Sequence, residues 1–173
     1  MSLSIRAAVS ADRAAVTALV SREVSRGAVL PKAFSTADFL VAELDGRIAG
    51  TLSTTAWTPD VLELGTVISD APGRGIGGRL IQAGLDRATA DGRRWAVVLT
   101  GMPGFFARQG FRTLPTAPWA RARGPVQTED LDTTLEQAIG NKAAGSCLRC
   151  PLLPTCSQAL MALPLAAAMR RCA

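Results

Sequence analysis

The sequence predicts an α+β fold, a central mixed β-sheet flanked by helices, and three observations carry that expectation. Six runs of strand length are rich in apolar and β-branched residues: Ser4–Val9, Phe39–Leu44, Arg47–Ala56, Val61–Ile68, Trp95–Leu99 and Ala159–Leu163. Two longer segments instead repeat their apolar residues at helical spacing. One carries Val16, Leu19, Val20 and Val24; the other carries Gly77, Leu80, Ile81, Gly84, Leu85 and Ala88 on one face, with Arg79, Gln82, Asp86 and Arg87 on the other. Between the fourth run and the second helix lies a glycine-rich turn containing Gly73, Gly75, Gly77 and Gly78.

The elements follow in order. Ser10 reads as the N-cap of the first helix and Gly27 as its stop. Asp45-Gly46 is the dipeptide suited to a two-residue type I′ hairpin, so the runs on either side pair antiparallel. Thr58-Pro59-Asp60 forms the next turn. Val61–Ile68 and Trp95–Leu99 flank the second helix and are expected to pair in parallel through a right-handed crossover. Pro103 opens a short helix with Phe105, Phe106 and Arg108, Gly110 ends it, and Phe111 begins another strand. Pro115 to Pro125, with three prolines, reads as a loop; Gln127 to Lys142 reads as a helix with Leu131, Leu135, Ala138 and Ile139 inward.

Length and composition bound the function. The 173 residues suit one domain over 1–173, completed by the cysteine-containing segment 143–173. Hydrophobic residues make up 48% and charged residues 19%, which implies a packed fold rather than disorder. A net charge of +5 favours an anionic ligand, but the arginines are scattered. With neither a basic run nor a pattern of stacking aromatics, nucleic acid is not an expected partner. The first twenty residues include Asp12 and Arg13 and lack an apolar signal core, and the apolar stretch Ala159–Met169 is short and contains Pro164. No membrane association is expected, the location is expected to be cytoplasmic, and the cysteines are expected to be reduced thiols or metal ligands. Oligomeric state stays open, a homodimer included.

A glycine turn feeding a helix N-terminus is an anion site, because unpaired N–H groups and the positive end of the helix dipole point the same way. A Walker loop would need Gly-Lys-Ser/Thr, which is missing. Gly73, Gly75 and Gly78 match the Rossmann fingerprint formally, yet the following strand ends in Thr100 and Gly101 with no acidic residue for a ribose. From Pro72 to Gly77 the stretch resembles the coenzyme A loop of the GNAT superfamily of acetyl-CoA-dependent N-acetyltransferases, Gln/Arg-x-x-Gly-x-Gly/Ala, with Pro72 in the first position. Phe105-Phe106-Ala107-Arg108-Gln109-Gly110-Phe111 resembles the Phe-Tyr-x-x-x-Gly-Phe of many members, with Phe106 in place of tyrosine, a residue this chain lacks entirely.

Four segments are similar to the acetyltransferase domain of bacterial N-acetylglutamate synthases: Arg26 to Lys32, Glu63-Leu64, Val98-Leu99-Thr100 with the phenylalanine motif, and Cys147 to Cys156. The resemblance implies acetyl-CoA as cosubstrate and a small amine, glutamate or a similar acidic amino acid, as acceptor. It implies that Val67, Ile68 and Ser69 run beside the pantetheine arm. Gly73, Arg74, Gly75, Ile76, Gly77, Gly78 and Arg79 then hold the pyrophosphate. Lys32 stands where members usually carry arginine, on the acceptor side, and the stretch from Ala33 to Asp38 is shorter than theirs. Pro115 to Pro125 would border the acceptor.

The chemistry can also be read from the residues. An ammonium must lose a proton before its nitrogen attacks a thioester. With no histidine or tyrosine in the chain, the candidate bases are carboxylates, and Glu63 sits inside an otherwise apolar strand, where burial would make it a stronger base acting through water. A carboxylate facing solvent or paired with an arginine is the alternative. A backbone N–H near Val67 to Ser69 could face the developing oxyanion. Cys147, Cys150 and Cys156, spaced C-x2-C-x5-C with Cys172 near the end, could hold zinc or an iron–sulfur cluster, or remain ordinary thiols. Two other functions stay open: a non-catalytic acetyl-CoA binder or sensor, and a protein or peptide N-acetyltransferase.

Overall fold

The computed structural model describes residues 2–124 and 131–165. Among the described residues, seven strands and five α-helices follow in order as β1 (Leu3–Ala7), α1 (Arg13–Ser25), β2 (Phe39–Leu44), β3 (Arg47–Ala56), β4 (Val61–Ser69), α2 (Ile76–Ala90), β5 (Trp95–Thr100), α3 (Pro103–Ala107), β6 (Arg112–Thr113), α4 (Pro118–Arg123), α5 (Thr133–Lys142) and β7 (Ala159–Pro164). The strands form a mixed sheet in the order β1-β2-β3-β4-β5-β7-β6, and the class is α+β as the sequence predicts. Contacts divide the chain into two compact units, one of residues 1–55 with 64–87 and one of residues 56–63 with 88–173.

In the first unit β1 and β2 pair antiparallel from Leu3↔Leu44 to Ala7↔Leu40, and β2 and β3 from Phe39↔Ser53 to Leu44↔Arg47. The hairpin turn has φ 49° at Asp45 and 81° at Gly46, the pair of positive angles that a type I′ turn demands. Ser10 does not cap α1 directly. Residues Ser10–Asp12 form a 3-10 turn, and Asp12 occupies the N-cap position, its carboxylate accepting from Val9 N at 2.8 Å. The helix buries Val16, Leu19 and Val20 against Ala8, Phe39, Val41 and Ile68. Each such side chain stabilises the fold by about 1.5–3 kcal/mol. On α2 the predicted apolar face is buried at Leu80, Ile81, Leu85 and Ala88, and Ile76 ahead of it is buried too. Gly84 sets the packing distance: a Cβ there would lie 3.1 Å from Leu64 Cδ2 and 3.3 Å from Leu52 Cδ1.

In the second unit β4 and β5 pair in parallel from Val61↔Trp95 to Glu63↔Val97, as the predicted crossover requires. β5 pairs antiparallel with β7 from Trp95↔Pro164 to Thr100↔Ala159. Val61, Val97, Leu160 and Ala162 meet Leu135, Ala138 and Ile139 of α5 in one apolar cluster. Asp132 caps α5, its Oδ1 accepting from Thr134 N at 2.9 Å and Leu135 N at 3.3 Å. The expectation of a loop over Pro115 to Pro125 is corrected: residues Pro118–Arg123 are helical. Pro118 sits in the first turn, where its missing N–H costs nothing and its fixed φ suits a helix. Pro125, like the predicted helical residues 127–130 and Cys172, lies outside the described residues. After α5 the chain continues as one π-helical turn, Ala143–Cys147.

Candidate functional site

In the first unit, β4 delivers the chain into the glycine turn. Thr66 has φ 49°, unusual for a β-branched residue within a strand, and its Oγ1 lies 2.9 Å from Ser53 Oγ. Ile68 is buried in the core of this unit, so only its backbone can face a ligand, while Val67 and Ser69 are half-buried. The turn is pinned at its start. Asp70 N donates to Ala49 O at 2.7 Å, and the Asp70 carboxylate accepts from Arg22 at 2.7 Å and Arg47 at 3.4 Å. The Arg22 guanidinium holds the Asp70 carboxyl below its ordinary value.

Gly73 and Gly75 have φ 77° and 72°, angles that glycine adopts without strain. Arg79 N donates to Gly75 O at 3.1 Å and closes the first turn of α2. The N–H groups of Ile76, Gly77 and Gly78 therefore have no acceptor within the helix. Ile76 turns its side chain inward at 1% exposure, and the two glycines have none to cover the backbone. A Cβ built at Gly73 or Gly75 would meet nothing within 4 Å, so this face is open. Bare N–H groups at the N-terminus of a fifteen-residue helix, beside Arg74 and Arg79, fit an anionic diphosphate.

In the second unit, Glu63 is held by two donors that sequence periodicity did not reveal. Its Oε2 accepts from Trp57 Nε1 at 2.6 Å and from Lys142 Nζ at 2.8 Å. Both Glu63 and Lys142 side chains are 16% exposed, and the ammonium lies 5.3 Å from the Trp57 ring centroid. The carboxylate thus meets an ammonium and an indole rather than the apolar surroundings expected for it. Lys142 lies 79 residues away in sequence, and only the turn at Thr58-Pro59-Asp60, six residues or fewer from Glu63, hinted that Trp57 folds back.

Lys32 belongs to the first unit. Its Nζ donates to Thr54 O at 2.9 Å and Thr55 Oγ1 at 2.5 Å, and it lies 5.9 Å from the Phe39 ring centroid. Cys147, Cys150 and Cys156 are free, half-buried thiols. Among the described residues, which do not include Cys172, no three His, Cys, Asp or Glu side chains are grouped to hold a metal ion. Burial pushes the Cys147 thiol above its ordinary value, with Lys142 acting in the opposite sense. Among the described residues no helix is long and apolar enough to cross a membrane.

A mixed sheet whose fourth strand, turned at Thr66, enters a glycine turn and a helix N-terminus defines the class of coenzyme A-dependent acetyltransferases. Residues 18–111 match the model of the Acetyltransferase (GNAT) family, and the chain belongs to that family. A search of curated proteins finds no match. Solved structures share the fold. Rv2747 from Mycobacterium tuberculosis, in complex with CoA and NLQ, aligns with TM-score 0.70 at 22% identity over 93% of this chain and 98% of its own. N-acetylglutamate synthase from Neisseria gonorrhoeae, complexed with coenzyme A and N-acetyl-glutamate, aligns with TM-score 0.69 at 20% identity over 95% of this chain. This chain spans 35% of that synthase. The protein yncA from Salmonella typhimurium, with its cofactor acetyl-CoA, aligns with TM-score 0.63 at 19% identity over 95% of each chain.

Proposed function

We propose that this protein transfers the acetyl group of acetyl-CoA to the α-amine of a small acidic amino acid, glutamate or one like it, as a single cytoplasmic acetyltransferase domain of amino-acid metabolism. The observation that carries the reading is the open glycine turn before α2, with the bare N–H groups of Ile76, Gly77 and Gly78. The turn lies within the residues that match the family model. The acidic acceptor draws support from the synthase structure complexed with coenzyme A and N-acetyl-glutamate.

Acetyl-CoA supplies an acetyl group activated as a thioester. Gly73 to Arg79 bind the diphosphate through backbone N–H groups and the guanidinium charge, and Val67, Ile68 and Ser69 present the edge of β4 to the pantetheine arm. Glu63 accepts the proton of the acceptor ammonium through a water, and Lys32 attracts an acceptor carboxylate. A backbone N–H between Val67 and Ser69 faces the oxygen on which negative charge develops. The departing thiolate has an affinity for protons near that of cysteine, so the missing tyrosine leaves a step that solvent can complete.

The test is release of free thiol from acetyl-CoA with each free amino acid at neutral pH, with the Glu63→Gln variant in parallel. Turnover with glutamate-like acceptors that falls in the variant, at unchanged acetyl-CoA affinity, supports the reading. Binding of acetyl-CoA without thiol release for any amine overturns it in favour of a sensor, and preference for a peptide lysine or N-terminus overturns the acceptor.

A further inference from the structure

We infer that Lys142 and Trp57 are positioning residues for Glu63, fixing its Oε2 so that Oε1 is the atom that takes the acceptor's proton; the inference rests on the acetyl-transfer reading above. A carboxylate offers about four acceptor sites over its two oxygens. Both donors converge on the same oxygen, Trp57 Nε1 at 2.6 Å and Lys142 Nζ at 2.8 Å. No hydrogen bond to Oε1 is found among the described residues, and that oxygen is not one of the buried polar atoms without a partner.

The donors are themselves held. Trp57 N donates to Val61 O at 2.9 Å, and its ring packs against the apolar cluster of the second unit. Lys142 ends α5, which is anchored by buried Leu135, Ala138 and Ile139. The ammonium also lies over the Trp57 ring, so each member of the trio restrains the other two. Charge-assisted bonds at these lengths are the stronger kind, and they limit rotation of the carboxylate. A contact serving only to fasten α5 would duplicate what three buried side chains already do.

In the step this arrangement serves, the N–H bond of the acceptor ammonium breaks and its electron pair stays on nitrogen. The proton passes through water to Oε1, where an O–H bond forms. Oε2 keeps its two donors throughout, so the carboxylate presents the same lone pair at every turnover. Preorganisation of this sort acts on the rate rather than on ground-state binding.

The experiment compares wild type, Lys142→Met, Lys142→Arg and Trp57→Phe with acetyl-CoA and glutamate, alongside the Trp57 indole N–H resonance, assigned by its loss in Trp57→Phe. Lys142→Met is expected to lower kcat roughly 10-fold or more with KM for acetyl-CoA within about 2-fold. The Trp57 resonance should shift, and Lys142→Arg should recover part of both. Should Lys142→Met fail to fold, Trp57→Phe carries the test, because it removes the N–H donor and leaves a smaller aromatic ring in its place; its kcat should fall roughly 5-fold. Undiminished kcat in folded variants while wild type turns over refutes the inference alone. A wild type that shows the indole held by the carboxylate yet releases no thiol with any amine refutes acetyl transfer itself and the positioning role with it.

Discussion

Gly50 and Ile76 lie so close across β3 and α2 that a Cβ at residue 50 would stand 2.8 Å from Ile76 Cγ2 and 2.7 Å from Ile68 O. Ile76 is the first residue of α2, the helix whose N-terminus carries the bare N–H groups. Gly50 therefore sets how near the first turn of α2 can lie to the strands.

Gly50→Ala should push that turn outward, because the new methyl meets Ile76 Cγ2 and Leu80 Cδ1 of α2 and cannot retreat toward the Ile68 O of β4, which is backbone. Overpacking of this kind costs about 1–3 kcal/mol. The melting temperature should fall and affinity for coenzyme A should fall with it. Calorimetry and a thermal scan showing both unchanged would remove the proposed link between β3 packing and the anion site.

Gly75→Val separates binding from packing. A Cβ there meets nothing within 4 Å, but φ is 72°, and an L-residue in that region carries about 1–2 kcal/mol of strain. The fold should survive while the branched side chain covers the approach to the N–H groups, and coenzyme A affinity should drop roughly 10-fold or more. A folded variant binding coenzyme A as tightly as wild type would place the diphosphate elsewhere.

Much of this frame was legible because local rules decide it. Asp45-Gly46 is the dipeptide best suited to a primed turn, and the apolar face from Gly77 to Ala88 is periodic over about three helical turns. The proline-rich segment misled, since prolines that read as loop signals can equally open a helix, and Pro118 does. Thr66 at φ 49° gave no signal, because nothing in a β-branched residue announces a left-handed backbone. The partners of Glu63 were hidden for a different reason: Trp57 and Lys142 reach it through tertiary packing, which periodicity does not encode.

Acid stability should depend on Asp12. Its carboxylate, 7% exposed, accepts from Arg6 at 2.7 and 3.0 Å, and the Arg6 guanidinium, with Val9 N, holds it below the ordinary carboxylate value. A group whose value is lower in the folded state adds stability that is complete above its unfolded value, about 4. That contribution disappears as pH falls through the lower folded value. Arg6 is 36% exposed, so solvent trims the pair, and Asp12→Asn should cost about 1–2 kcal/mol at pH 7. Denaturation curves of the two proteins should converge in strong acid; a constant gap from pH 7 downward would show that Asp12 acts through something other than its charge.

The Cys147 thiol should be slow to alkylate. Burial raises it above the ordinary thiol value, and only the thiolate attacks iodoacetamide, so the rate at Cys147 should keep climbing well above neutral pH. Mass spectrometry of the labelled peptide measures this, and metal analysis of the same sample tests whether zinc or iron accompanies the thiols. Rapid labelling at pH 7, or about one bound metal per chain, would overturn the picture of a half-buried, slow-reacting thiol.

Lys32 tests the acceptor. Its ammonium donates to Thr54 O at 2.9 Å and Thr55 Oγ1 at 2.5 Å. Lysine offers a point charge where arginine would offer a bidentate fork, and discrimination among acidic acceptors should accordingly be modest. Lys32→Ala should raise KM for glutamate roughly 5-fold or more while kcat stays within about 2-fold, because attraction of a carboxylate is made equally in ground state and transition state. If Lys32 serves only to tie its loop to the end of β3, the variant will instead melt earlier and keep its KM. Amines lacking any carboxylate should be poorer substrates than glutamate; should they prove better, the acidic acceptor fails while acetyl transfer stands.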